Sequence, residues 1–188
     1  MQNNKRINIW ITVMLAVFAV GAVAGVIYAG GMASDASEEL RVYLTEYFEN
    51  GARGKREIFL TSLFDNLKVF AVIFMAGFFR AGLAVSLGMC LAEGFVSGFT
   101  GAVLIRLLGL KGFLMGASSI LSVIVFVTAL VIYGAYSVNF GVSGRKSEYG
   151  AKKEYFIFSI IALTIFCIAS FFDGYITTTF MDFIVNKM

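Results

Sequence analysis

Long apolar runs constrain this chain more than any other feature. They recur over about 9–29, 69–91, 94–109, 113–138 and 155–180, and each carries at most one charged residue. About 18 or more consecutive apolar residues is the length at which a helix can cross the hydrocarbon core of a bilayer. Composition agrees: 59% of residues are hydrophobic and 14% are charged, against roughly a quarter charged in soluble domains. The sequence therefore predicts an all-α, polytopic integral membrane protein. It forms a single membrane domain over 1–188, with five transmembrane helices and an extracytoplasmic amphipathic segment at 34–66.

The stretch from Ile9 to Ala29 follows Lys5 and Arg6. At about 20 residues it exceeds the 7 to 15 of a cleavable signal core, which predicts a retained anchor. The third run is short for a span, because each helical residue rises about 1.5 Å against a core of about 30 Å. Loop charge resolves the parity. Lys and Arg accumulate on the cytoplasmic side, so Lys5 and Arg6 place the N terminus inside. Five full crossings then put Arg145, Lys146, Lys152 and Lys153 inside as well, with the C terminus outside. Arg53, Lys55 and Arg56 fall outside and run against this pattern, in a loop that also holds Arg41 amid acids.

That external loop is the main polar part of the chain. Leu40, Tyr43, Leu44, Tyr47 and Phe48 follow i, i+3, i+4, i+7, i+8 spacing, one face of an amphipathic helix that begins near Asp35 and stops at Gly51. Glu38, Glu39, Glu46 and Glu49 occupy the opposite face. Such a helix lies in the membrane interface, caps its own bundle or docks a partner; its acidity disfavours anionic lipid as the target. Glu39, Glu46, Glu49, Arg53 and Arg56 are the candidate partner-binding residues.

Helices in lipid associate by close backbone approach, so small residues mark contact faces. Gly77, Ala81, Ala84 and Gly88 form one predicted stripe, Gly94, Gly98 and Gly101 a second, Gly112 and Gly116 a third, and Gly21 with Gly25 a fourth. Charges within the apolar runs need an explanation of another kind. Arg80 sits beside the first stripe and either snorkels to the headgroups or serves an interior role. Arg106 and Asp173 come near the external ends of their helices, as an ion pair or as independent interfacial groups. Asp173 shares a face with Ser159, Ala162, Ala169 and Thr177. Glu93 is expected in a tight cytoplasmic turn beside Gly94.

The inventory also excludes chemistry. With no histidine, imidazole metal sites and Ser/His or Cys/His catalysis are absent. Cys90 and Cys167 each stand alone in apolar segments, which excludes a disulfide framework and a four-thiolate site. Glu93 and Asp173 fall at opposite membrane faces and cannot form an aspartyl dyad. The net charge of +3 is too small and scattered for nucleic-acid binding. The expectation is a protein that is not an enzyme, holds no cofactor, and has the lipid bilayer as its first partner; homo-oligomerisation stays open.

The most specific stretch runs from Phe59 to Thr100. It contains Phe64-Asp65-Asn66-Leu67, then Gly77, Gly82 and Gly88, then Glu93-Gly94-Phe95 followed by Gly98. This resembles the stage II sporulation protein M family, whose members carry a Phe-x-Asn motif at the start of a glycine-bearing helix and an Asn-Gly-x-x-x-Gly turn into the next hydrophobic run. Here Glu93 stands where the family often has Asn. The resemblance implies a multi-pass protein of the mother-cell membrane that serves septal thinning and forespore engulfment. It also implies a scaffold for the peptidoglycan-degrading stage II sporulation proteins D and P rather than a hydrolase. The competing reading is a channel or transporter subunit, with Arg80, Arg106 and Asp173 lining a hydrated path.

Overall fold

A computed structural model describes residues 2–49, 54–79, 81–142, 149–180 and 183. Among these residues the chain is almost entirely helical, with α1 over Gln2–Gly30, α2 over Ser34–Glu49, α3 over Lys55–Ala76, α4 over Gly82–Val142 and α5 over Tyr149–Phe171. A wider π turn, Phe172–Thr177, follows α5, and the helix resumes as far as Phe180. Four of these helices are long and apolar enough to cross a membrane: α1, α3, α4, and α5 with its continuation. Ile27, Val20, Ile160 and Ile124 are each more than half exposed on the outside of the bundle, where in water they would be costly and in lipid they are solvated.

The 61 residues of α4 would extend about 90 Å if straight, three times the hydrocarbon thickness. They do not run straight. Gly109 has φ 59° and ψ −129°, far from helical values, in a region of backbone space that glycine enters without a Cβ clash. The chain doubles back so sharply that a Cβ on Gly112 would strike the Leu104 carbonyl. Two arms result, 82–108 and 110–142.

α1 lies against the first arm and runs in the same direction. Met14 meets Cys90, Ala22 meets Gly98, and Ala29 meets Arg106. α5 runs antiparallel to α3, with Asn66 beside Ser170 and Phe74 beside Tyr155. It is antiparallel to the second arm as well, with Ser122 beside Ala169 and Tyr133 beside Ser159. Tyr133, Tyr155, Phe166, Met14 and Ile73 belong to one shared core, so the two groups of helices form one bundle.

Helix limits differ from the sequence expectation around 55–108. The run read as one span at 69–91 contains the end of α3, a turn at Gly77–Phe79 and the start of α4. The short run at 94–109 is the middle and end of a first arm that begins at Gly82. Charges on Lys55, Arg56, Glu57, Asp65 and Lys68 depress the hydropathy of α3, and Gly77, Phe78 and Phe79 beyond its end are apolar, so the apolar signal is displaced toward the C terminus. The amphipathic segment shortens accordingly: α2 ends at Glu49, and 55–66 are the first half of α3. Glu93 is not in a turn but near the middle of the first arm, and Gly77 caps α3 rather than continuing a stripe.

Candidate functional site: a polar seam between α3, α4 and α5

Hydroxyl and amide side chains line the contact of α3, the second arm of α4, and α5 from one end to the other. At the end where α3 starts, Lys55 Nζ donates to Thr179 Oγ1 at 2.8 Å, and Ser62 Oγ donates to Asp173 Oδ2 at 2.7 Å. One turn deeper, Asn66 Nδ2 donates to Ser170 Oγ at 2.8 Å and reaches the Phe166 carbonyl at 3.4 Å. Ser122 Oγ donates to the Ala169 carbonyl at 3.1 Å. Further along, the Tyr133 and Ser159 hydroxyls stand 3.0 Å apart. Since Ser159 donates its own proton to the Tyr155 carbonyl at 2.8 Å, Tyr133 is the donor between them. At the far end Tyr155 Oη donates to the Phe74 carbonyl at 2.9 Å, and Ser137 Oγ to the Ile73 carbonyl at 2.8 Å.

Each of these groups would be unsatisfied in hydrocarbon, where water cannot replace a missing partner. Their partners lie mostly on a different helix, so satisfying them fixes the register of three helices at once. Aromatic packing reinforces the same seam. The fully buried Tyr155 ring stacks on Phe140 at 4.3 Å and 10°, and meets Phe78 edge-on at 5.6 Å and 87°. Gly77 makes room for it: a Cβ there would collide with the Tyr155 hydroxyl and lie 2.8 Å from Ser137 Oγ.

The π turn belongs to the seam. Asp173, in this wider turn, accepts from Ser62, while Thr178 Oγ1 donates to the Asp173 carbonyl at 3.0 Å. Gly174 faces the first turns of α3 so closely that a Cβ would overlap Phe59. The carboxylate of Asp173 is thus an inward-facing acceptor, on the face that sequence spacing assigns to it.

The contact between α1 and the first arm is built differently. A Cβ on Gly94 would strike the Phe18 carbonyl, and one on Gly98 the Ala22 carbonyl. From the other side, Gly21 and Gly25 lie against the carbonyls of Leu91 and Phe95. Gly94 and Gly98 are therefore contact glycines, as their spacing predicts. Gly88 is not: it is exposed, with nothing within 4 Å of an added Cβ. Arg106 closes this contact by donating Nη1 to the Ala29 carbonyl and to the Gly30 carbonyl at 3.1 Å. These are the last carbonyls of α1, which have no partner within that helix. Arg106 and Asp173 thus serve separate contacts, and neither pairs with the other.

Glu39, Glu46 and Arg56 are exposed. Asp35, Glu38, Glu39, Val42, Tyr43 and Glu46 line one shallow open face of α2. Leu40 and Leu44 are half-buried, whereas Tyr43 is 62% exposed, so the helix is only partly covered by its own bundle. Arg41 donates Nε to Glu38 Oε2 at 3.0 Å and Nη2 to Oε1 at 2.8 Å, and this bidentate hydrogen bond holds the Glu38 carboxyl below its ordinary 4.5. The Glu49 side chain, Arg53 and Arg80 lie outside the described residues.

Asn66, marked by its motif in the sequence, is explained by its packing, as are Gly94, Gly98 and Asp173. Ser62, Ser122, Ser137, Tyr133, Tyr155 and Ser170 escape a reading based on charges and glycines. Serines and tyrosines recurring on the buried face of α5, at Tyr155, Ser159 and Ser170, are the signal that would have found them.

A family model for stage II sporulation protein M matches residues 14–178. That match takes in all of α3, α4 and α5 and more than half of α1. The chain belongs to the stage II sporulation protein M family. No curated protein and no solved structure matches it. Family and helices together make it a multi-pass membrane protein of a sporulation family.

Proposed function

We propose that this family member is a membrane scaffold that holds peptidoglycan-degrading partners at the septum during thinning and engulfment. By family resemblance those partners are stage II sporulation proteins D and P. The observation that carries the reading is the contrast between the bundle and α2. In the bundle the polar side chains of the seam are consumed in contacts between helices, which suits a rigid support better than a hydrated path. α2 presents an open acidic face beside a bundle that leaves it half covered. A support without a nucleophile and base of its own acts on the wall through what it holds.

The same reading includes five crossings, with the two arms of α4 counted separately, the N terminus in the cytoplasm, and the C terminus and α2 outside. Geometry supports it. Met14, Gly134, Ser137 and Tyr155 lie toward one end of the bundle, near the start of α1 and α5, where Arg6, Lys152 and Lys153 are exposed. Gly109, Arg106 and the Lys55–Thr179 pair mark the other end. Reversing Glu39, Glu46 and Glu49 together to Lys tests the scaffold directly. It should abolish co-capture of proteins D and P from sporulating cells at unchanged protein level; undiminished co-capture and normal engulfment would refute it. In a background with Cys90 and Cys167 replaced by Ala, an impermeant thiol reagent on intact cells should label Ala36→Cys and spare Lys152→Cys.

A further inference from the structure

One ion pair in the molecule is in the wrong solvent. Asp65 and Lys68 pair at 2.8 Å on α3 with their side chains 61% and 73% exposed. Asp65 lies at the middle of α3, about 15 Å from either end at 1.5 Å per residue. On the same face Phe64 is 62% exposed, Val72 39% and Met75 55%, so the pair sits inside an apolar, lipid-directed surface rather than in a headgroup layer. Among the described residues the Glu93 side chain of α4 makes no hydrogen bond or ion pair. Charges at such depth need protein or water against them.

We propose that this face of α3 is the contact between two copies of the chain. A face that carries one cation and one anion a helical turn apart is complementary to itself. A two-fold axis along the membrane normal sets two α3 helices side by side in the same direction and in the same depth register. Lys68 of each copy then reaches Asp65 of the other, and four alternating charges close into a ring shielded by the surrounding apolar side chains. Any unrelated helix would have to bring its own pair at the same depth. This inference is independent of the scaffold reading, since capture of wall hydrolases is measured separately.

Two measurements test it in the full chain in native membranes. With Cys90 and Cys167 replaced by Ala, Val72→Cys should cross-link to a dimer under oxidation, while Ile160→Cys, on an exposed face of α5, should remain monomeric. Monomeric Val72→Cys, or its labelling by a water-borne thiol reagent in intact cells, would overturn the proposal, the latter in favour of a water-filled groove. The second measurement separates contacts between copies from the pair within one copy. Asp65→Lys and Lys68→Asp each destroy the internal pair and place like charges across the axis, which should weaken self-association by about tenfold or more. Co-expressed with different tags, the two variants should capture each other as well as wild type captures itself. Failure of the mixed pair to associate while wild type dimerises would show that the contact lies elsewhere.

Discussion

The two halves of the bundle solve one problem in two ways. Between α1 and the first arm of α4, backbone lies on backbone: Gly21, Gly25, Gly94 and Gly98 bring carbonyls to within the space a methyl group would need. Between α3, the second arm and α5, the helices are joined by hydrogen bonds from Ser, Asn and Tyr to the neighbouring helix and by stacked rings around Tyr155. Neither half can use the hydrophobic effect, because lipid is as apolar as a leucine side chain. The difference lies in how each fails. A steric contact is lost abruptly when any Cβ intrudes, whereas a seam of individually modest hydrogen bonds loses stability in steps.

The largest effect is therefore expected from Gly94→Leu. Its side chain would drive α1 off the first arm and lower stability by about 3 kcal/mol, the upper end for overpacked contacts. Gly88→Leu should leave stability unchanged or raise it by a few tenths of a kcal/mol, since Gly88 faces open space and leucine is the better helix former. Denaturant unfolding in micelles, followed by fluorescence of the single tryptophan, Trp10 of α1, separates the two. Equal stability of both variants would break the steric account of this half.

In the seam, Asn66→Ala should cost about 1 to 2 kcal/mol, because it leaves the Ser170 hydroxyl and the Phe166 carbonyl with fewer partners. A double-mutant cycle with Ser170→Ala should return a coupling of about 0.6 kcal/mol. Additive effects of the two substitutions would show that the hydrogen bond, although short, contributes no coupling. Arg106→Gln should be milder still, about 0.3 to 1 kcal/mol, the range for a cation at a helix C terminus, and should loosen the last turn of α1 in hydrogen exchange without moving the seam.

Legibility from the sequence followed the same division. The glycine half was readable: i, i+4 spacing picked out Gly94 with Gly98 and Gly21 with Gly25, because steric contact leaves a local pattern. The same spacing misplaced Gly88, since periodicity defines a face without saying whether lipid or protein lies against it. α3 was read too late because its charges hide it from a hydropathy window and the apolar Gly77, Phe78 and Phe79 carry the signal past its end. Gly109 had no distinguishing mark among twenty glycines. Asn66 stood out by its motif, but its partner Ser170 is more than a hundred residues away, and nothing short of the fold brings them together. Asp173 was placed on the right face, yet the π turn that aims it at Ser62 has no counterpart in the helical spacing.

α2 offers a third regime, and it bounds the comparison from the side of water. The Glu38–Arg41 pair is bidentate and short, but both side chains are more than half exposed, so solvent and salt screen it and it should carry almost none of the stability of the fold. Its signature is electrostatic instead. Because Arg41 holds the folded carboxyl below 4.5, the small contribution is present above that value and is lost as pH falls through the lowered midpoint. An NMR titration should find Glu38 ionising below 4.5 in the wild type and returning toward it in Arg41→Gln. High salt should produce part of the same shift. Unfolding of Arg41→Gln should match the wild type at neutral pH. A loss of bundle stability in that variant would mean that α2 is tied into the membrane helices more firmly than its exposure indicates. The contrast between the lipid-embedded helices and an exposed α2 would then fail.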